Sequence, residues 1–373
     1  MYKRQGNNLT LLGGTVASTG QLAAPGGQIT VAAVPGTSLV RINLPGSLLS
    51  LDIQPLPAGA PANSGPLPVS LPELLTGAGW SNASALTVNG DGDAVLTTGA
   101  RVLPGDVAIV GSVDAQNALL VGDRNLTLVD SQLQTTGDLT LQAKDTVQIR
   151  DSVAVPFQAQ AGGNFTIQGN QGIDILALNH LQTAPFQSGG NLSLVSDGIV
   201  SGDSHFTSGG NFAILDRAGN PGTFVSFYDP IIAAAGDFIT GAYTGVALKV
   251  TATGNITFSG NIRITGPDTT LLPGDPDFAL LTGFPTLILR SGGNVTVSGA
   301  IDTSVTSATT ALGGPVILSA PGNIIVGAIN SSATVNPTGG PATATAGRVT
   351  LDAGGSIVTG AINSSANATG SGS

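Results

Sequence analysis

One short phrase recurs along this chain: a Gly pair, or Gly with Asp or Asn, followed by apolar–Thr/Ser–apolar. It reads GGQITV at 26–31, GGNFTI at 162–167, GGNLSL at 189–194, GGNFAI at 209–214 and GGNVTV at 292–297. Shorter forms begin at Gly6, Asp123, Gly137, Gly254, Gly313, Gly322 and Gly347. Near the C-terminus the period is explicit, because GNIIVGAINSS at 322–332 returns as GSIVTGAINSS at 355–365. Apolar–Thr–apolar alternates at period two, so both apolar side chains share one face of a strand. The Gly-Gly-Asn before it reads as a turn in which glycine supplies a positive φ. One strand and one turn cannot bury a core alone, whereas stacked copies about 4.8 Å apart pair every backbone group with the coil above and below. The expectation is an all-β fold, a right-handed parallel β-helix (β-solenoid) of about 12–15 coils and about 60–70 Å in length.

Composition agrees. There are 54 Gly among 373 residues, while Glu occurs once (Glu73) and Lys three times (Lys3, Lys144, Lys249). Helix surfaces draw on those long side chains, so a mainly helical protein is excluded. A 41% hydrophobic content excludes a disordered chain. The net charge of −10, with basic residues scattered singly, argues against nucleic acid as a partner. No apolar run is long enough for membrane insertion as a helix. The absence of Cys removes disulfides, thiolate chemistry and Cys-based zinc sites. A propeller would show a Trp signature in each blade, and there is one Trp, Trp80. A β-sandwich array explains neither the Gly-led phrase nor its variable spacing.

The division of the chain follows from breaks in the repeat. Residues 1–5 read as a non-native scar, and 6–46 as closing coils. Residues 47–77 read as a Pro-rich excursion with one short helical turn at 71–75, and 78–373 as the repeat region, truncated at its C-terminus. A second Pro/Gly/Asp-rich excursion spans 266–285, and Ser/Thr/Ala-rich loops span 303–312 and 331–346.

No motif for a nucleophile, a phosphate loop or a zinc protease is present, so no catalytic, cofactor-binding or metal-ligating residue is expected. Glu73 has no acidic neighbour, and the Asp residues sit beside turn formers. An Asp cluster assembled across coils would be the mark of a polysaccharide-cleaving β-helix enzyme. Asp91 and Asp93, in NGDGD at 89–93, evoke a Ca²⁺ loop without its distal Glu; a tight hairpin is the preferred reading. His180 and His205, the only histidines, have at most Asp203 nearby in sequence and read as surface or loop residues. The N-x-S/T sites at Asn164, Asn191, Asn255 and Asn294 read as by-products of the repeat, with the Asn side chains stacking as a ladder. Phe165, Phe212 and Phe238 are placed in the interior. Phe224, Phe227 and Tyr228 form an aromatic segment suited either to stacking on sugar rings or to closing a coil.

Most of 6–299 carries a resemblance, VNGDGDAVLTTG at 88–99 and ITGPDTT at 264–270 included. GNNLTLLGGTVASTGQLAAPGGQITVAAV at 6–34 is similar to the closing coils of the filamentous haemagglutinin-type secretion domain. DSQLQTTGDLTLQAKDTVQIRDSVAVPFQAQAGGNFTIQGNQGIDILALNH at 130–180 and SGGNFAILDRAGNPGTFVSFYDPIIAAAGDFITGAYTGVALKV at 208–250 resemble cyanobacterial members of these large surface adhesins. The resemblance implies a non-enzymatic, extracellular or outer-membrane-surface protein exported by two-partner secretion. It further implies an outer-membrane β-barrel transporter as export partner, and cell surfaces or glycans as adhesion partners. A bare structural stalk and a polysaccharide lyase or hydrolase are the alternatives.

Overall fold

The computed structural model describes residues 6–34, 102–180, 183–336 and 342–368, and the strand backbones Val40–Asn43, Ser50–Ile53, Leu86–Val88 and Ala94–Leu96. The described chain is a parallel β-helix: thirty strands form one continuous sheet whose paired ladders are all parallel. Each coil contributes to three faces. On the first, Leu139, Phe165, Leu192, Phe212, Phe238 and Ile256 lie in register one above another. The second stacks Val147, Ile173, Val200, Phe224, Tyr243 and Ile262. The third stacks Phe186, Phe206, Ile232, Val250, Leu289, Leu318 and Leu351. Leu126, Val316 and Val349 open the same sequence phrase as the first-face residues but belong to the second face (Leu126) and the third (Val316, Val349). The phrase therefore marks a strand after a corner, not one particular face.

The interior is apolar, and aromatic through its middle. Phe157, Phe186, Phe206, Phe212, Phe238 and Phe258 are fully buried and touch in sequence, with ring centroids 4.9–5.7 Å apart. Phe165 and Phe224 are buried with them.

The Gly-Gly-Asn phrase works differently from the turn expected of it. Among the described residues, positive φ occurs at Gly26, Gly105, Gly111, Gly219, Gly274 and Asp130, and not at the Gly pairs of the repeated phrase from 162 onward. Those pairs are required by close stacking. A Cβ on Gly189 would lie 2.2 Å from the Gly162 carbonyl oxygen, and one on Gly190 would lie 2.6 Å from Asn164 Oδ1. The Asn of each coil thus occupies the space that the Gly of the next coil leaves open. Asn164 Oδ1 accepts from the Asn191 backbone N–H (3.0 Å), Asn191 Oδ1 from Asn211 (2.8 Å), and Asn211 Oδ1 from Asp237 (2.9 Å). The ladder runs unbroken from Asn117 to Ser356, and its links span 18 to 39 residues of sequence. The expected Asn stack is present, built from side-chain oxygen to backbone N–H. Replacing Asn191 by Ala is expected to cost about 1 kcal/mol locally. Hydrogen exchange at the Asn211 amide reads it as a several-fold loss of protection, and unchanged exchange would show that the link contributes nothing.

Extra residues leave the coil at fixed places. The stack passes directly from the strand Gln21–Ala33 to Val107–Gly122, so the chain outside the coil extends beyond 47–77. The described parts of that segment are two antiparallel pairs, Val40–Asn43 with Ser50–Ile53 and Leu86–Val88 with Ala94–Leu96. The second pair agrees with a hairpin around the NGDGD stretch; Asp91 and Asp93 themselves lie outside the described residues, as do 1–5, Glu73, Trp80 and the helical turn at 71–75. Later insertions leave from the corner between the second and third faces. Two expected loops are in part stacked strands: Val305–Ser307, Ala333–Val335 and Ala366–Ala368 pair in parallel, as do Thr310–Leu312 and Thr343–Thr345. They enclose a small core of Ala311, Ala333 and Val335. The insertion at 266–285 carries a short helix, Phe278–Gly283, and lies over the outer side of the third face. There Leu271, Leu281 and Phe278 cover Ala247, Ile231, Ile288 and Ile317.

Candidate functional site

That covered outer side holds the densest group of ionisable side chains among the described residues. Successive coils deliver its members. His180 leaves the strand Gly172–Leu176 in a loop. One coil later, the strand Ile199–Ser208 runs straight through the same corner and carries Asp203 and His205. On the next coil Asp229 precedes Pro230–Ala234, and on the next Lys249 sits in Leu248–Ala252. The 266–285 insertion adds Asp268, Asp275 and Asp277, and Arg290 follows on Leu287–Ser291. His205, Ile231, Lys249 and Ile288 are register neighbours up the outer face.

Two subclusters result. In the first, His205 Nε2 and Asp229 Oδ1 are hydrogen-bonded at 2.7 Å, and His180 Nε2 lies 3.4 Å from Asp229 Oδ2. The two imidazole rings are 4.1 Å apart. Asp268 is hydrogen-bonded to Asp229 from the insertion side and also accepts from the Thr270 and Leu271 backbone N–H groups. Burial pushes the Asp229 and Asp268 carboxyls up to about 7, with mutual repulsion adding at Asp268. Burial also lowers His180 to about 3, reinforced by His205, and lowers His205 to about 4 against the pull of Asp268 and Asp275. The imidazoles are therefore neutral at pH 7.

In the second subcluster, Lys249 Nζ donates to both Asp275 oxygens at 2.7 Å and pairs with Asp277 Oδ2 at 2.9 Å. Arg290 grips Asp277 through two bonds, at 2.6 and 2.7 Å. Hydrogen bonds from Arg290 hold the Asp277 carboxyl down at about 2, with Lys249 helping. This network fastens the insertion to the coil.

His180 lies in a loop as expected, but its side chain is only 6% exposed, and that of His205 12%; a surface role is overturned for both. Asp203, the sequence neighbour of His205, takes no part in the His pair. Its Oδ1 accepts from Ser226 Oγ (2.7 Å) and from the Phe227 (2.6 Å) and Tyr228 (2.9 Å) backbone N–H groups, clamping the turn that presents Asp229. On that turn Phe227 is 55% and Tyr228 46% exposed, whereas Phe224 points inward. Sequence reading missed the clustering because its members are one coil apart. The spacing was the available signal: 24 residues separate His205 from Asp229, and 26 separate Lys249 from Asp275.

The open surface differs in character. A shallow groove of about 390 Å³ runs along the Asn ladder, lined by Asp237, Asn255, Asn294 and Asn323 with Thr257, Thr296 and Ile325. A second groove presents Gln132, Gln134, Gln158 and Gln160 beside Asp114. Each holds one carboxylate. No helix among the described residues is long and apolar enough to cross a membrane. Comparison of the chain with protein families, with curated proteins and with solved structures finds no match.

Proposed function

We propose that this chain is a segment of an extracellular, surface-exposed adhesin of the filamentous haemagglutinin type. On this reading it reaches the cell exterior through an outer-membrane β-barrel transporter and attaches to cell-surface glycans. The observation that carries the proposal is the pair Phe227–Tyr228, exposed side by side on a turn that the buried Asp203 clamps. Aromatic faces held rigidly in water suit stacking on sugar rings at little entropic cost. The grooves add amide and hydroxyl side chains that repeat from coil to coil, so a polymeric glycan would meet the same chemistry many times and gain avidity without a deep pocket.

The enzyme alternative requires carboxylates facing each other across an accessible groove. The carboxylates that do converge, Asp229 on the coil and Asp268, Asp275 and Asp277 on the insertion, meet where the insertion packs on the coil, and their side chains are paired. A glycan array probed with the full chain tests the proposal. Binding is expected, with at least about a tenfold loss in the Phe227→Ala/Tyr228→Ala double variant. Absence of binding to every glycan would overturn the adhesive reading, and release of cleavage products from acidic polysaccharide would replace it with the enzymatic one.

A further inference from the structure

We propose that His180, His205 and Asp229 form a binding site for one divalent transition-metal ion of the zinc class. The proposal is independent of the glycan reading. Three observations lead to it. The donor set is right: the ligand atoms of the three side chains all lie within 4.8 Å of one another, and two imidazole nitrogens with one carboxylate oxygen are a set that zinc-class ions accept. Tetrahedral coordination at 2.0–2.1 Å needs donors about 3.3 Å apart, so side-chain rotations of the order of 1 Å complete the set. His180 then supplies the observation that points to a ligand. Its side chain is 6% exposed, and both of its ring nitrogens are buried without a hydrogen-bond partner. Leaving polar atoms buried and unpaired is costly, and Nε2 lies 3.4 Å from Asp229 Oδ2 without a hydrogen bond to it. A metal ion between them would satisfy it.

The surroundings support the assignment. Asp268, hydrogen-bonded to Asp229 and oriented by the Thr270 and Leu271 N–H groups, stands where an outer carboxylate orients a ligating one. A dication would also offset two carboxylates that otherwise crowd together out of water. Calcium, which takes six to eight oxygen ligands, does not fit two nitrogens and one carboxylate. The ion would join three consecutive coils at the corner from which the insertions leave.

The test uses the full chain, without a polyhistidine tag, after treatment with EDTA. Titration with Co²⁺ is expected to give one ion per chain and a visible ligand-field band, which Zn²⁺ bleaches and Ca²⁺ leaves unchanged. The chain has two histidines, so imidazole ¹⁵N resonances report the site in the unaltered protein, and both are expected to shift on Zn²⁺ addition. His180→Ala removes no hydrogen bond, keeps the fold by circular dichroism, and is expected to weaken Co²⁺ binding at least about 100-fold. Failure of Co²⁺ and Zn²⁺ to bind the unaltered chain at micromolar concentration would overturn the proposal. So would imidazole signals that stay in place, or Co²⁺ affinity unchanged in His180→Ala.

Discussion

Replacing Phe212 by Ala lowers the stability of the central coils by about 3–5 kcal/mol, the cost of emptying a fully packed aromatic site. Phe212 is completely buried and contacts Phe206 at 5.6 Å and Phe238 at 5.7 Å, so its ring links two neighbouring coils. A rigid backbone with hydrogen bonds above and below cannot collapse into the space. In a solenoid each coil rests only on its neighbours, so the loss concentrates in the coils on either side of 212–215 instead of spreading through the rod. Hydrogen exchange resolved by coil is the suitable measurement. Protection is expected to fall in Phe165–Gly169 through Ile256–Phe258 and to hold in Val349–Ala353. Phe227→Ala, at an exposed ring, is the control and is expected to stay within about 0.5 kcal/mol. Equal effects in the two variants would mean that the aromatic column is not what supports the middle of the stack.

The second large effect is expected at Lys249. Its ammonium is the cation facing Asp275 and shares Asp277 with Arg290. Lys249→Met keeps the aliphatic stem, removes the buried ammonium from half-buried Asp275 and leaves Asp277 with Arg290 alone, a change expected to cost up to about 3 kcal/mol, the lower end for breaking a buried pair. That cost falls on the contact between the 266–285 insertion and the coil, so cleavage of the helix Phe278–Gly283 by protease is expected to accelerate strongly at neutral pH while the rest of the rod resists. The sign of the pH dependence follows from Asp277. Its carboxyl titrates lower in the folded protein, at about 2, than the 3.8 of a free carboxyl. Its contribution is therefore complete above pH 4 and is lost as the pH falls toward 2. In the unaltered protein this Lys249–Asp277–Arg290 attachment is expected to loosen in that acid range. An insertion equally protected in both proteins at pH 7 would remove the network from the account.

How much of this was legible beforehand differs from feature to feature. The stacked column of Phe165, Phe212 and Phe238 follows from the alternation of apolar residues after each Gly-led phrase, because period two fixes which side of a strand is buried. The Asn ladder was legible for the same reason: Asn recurs at one point of the phrase, so stacking identical phrases superposes the amides. The role of the Gly pair was misread. Its requirement is not a dihedral angle visible in a local sequence but a 2.2 Å approach to a carbonyl on a different coil. Phe224 was grouped with Phe227 and Tyr228 by proximity, and only the register Val200–Phe224–Tyr243 separates it from them.

The sequence by itself determined the coil: local periodicity and glycine placement specify strand, corner and stacking, since each coil repeats the instructions of the one before. Tertiary structure alone decided the chemistry. His180, His205 and Asp229 come together because three coils of unequal length happen to bring one corner into line, and Lys249 is buried because an insertion folds back over it. Stacking turns a separation of about one coil into contact, and that conversion depends on every residue spent in every intervening loop.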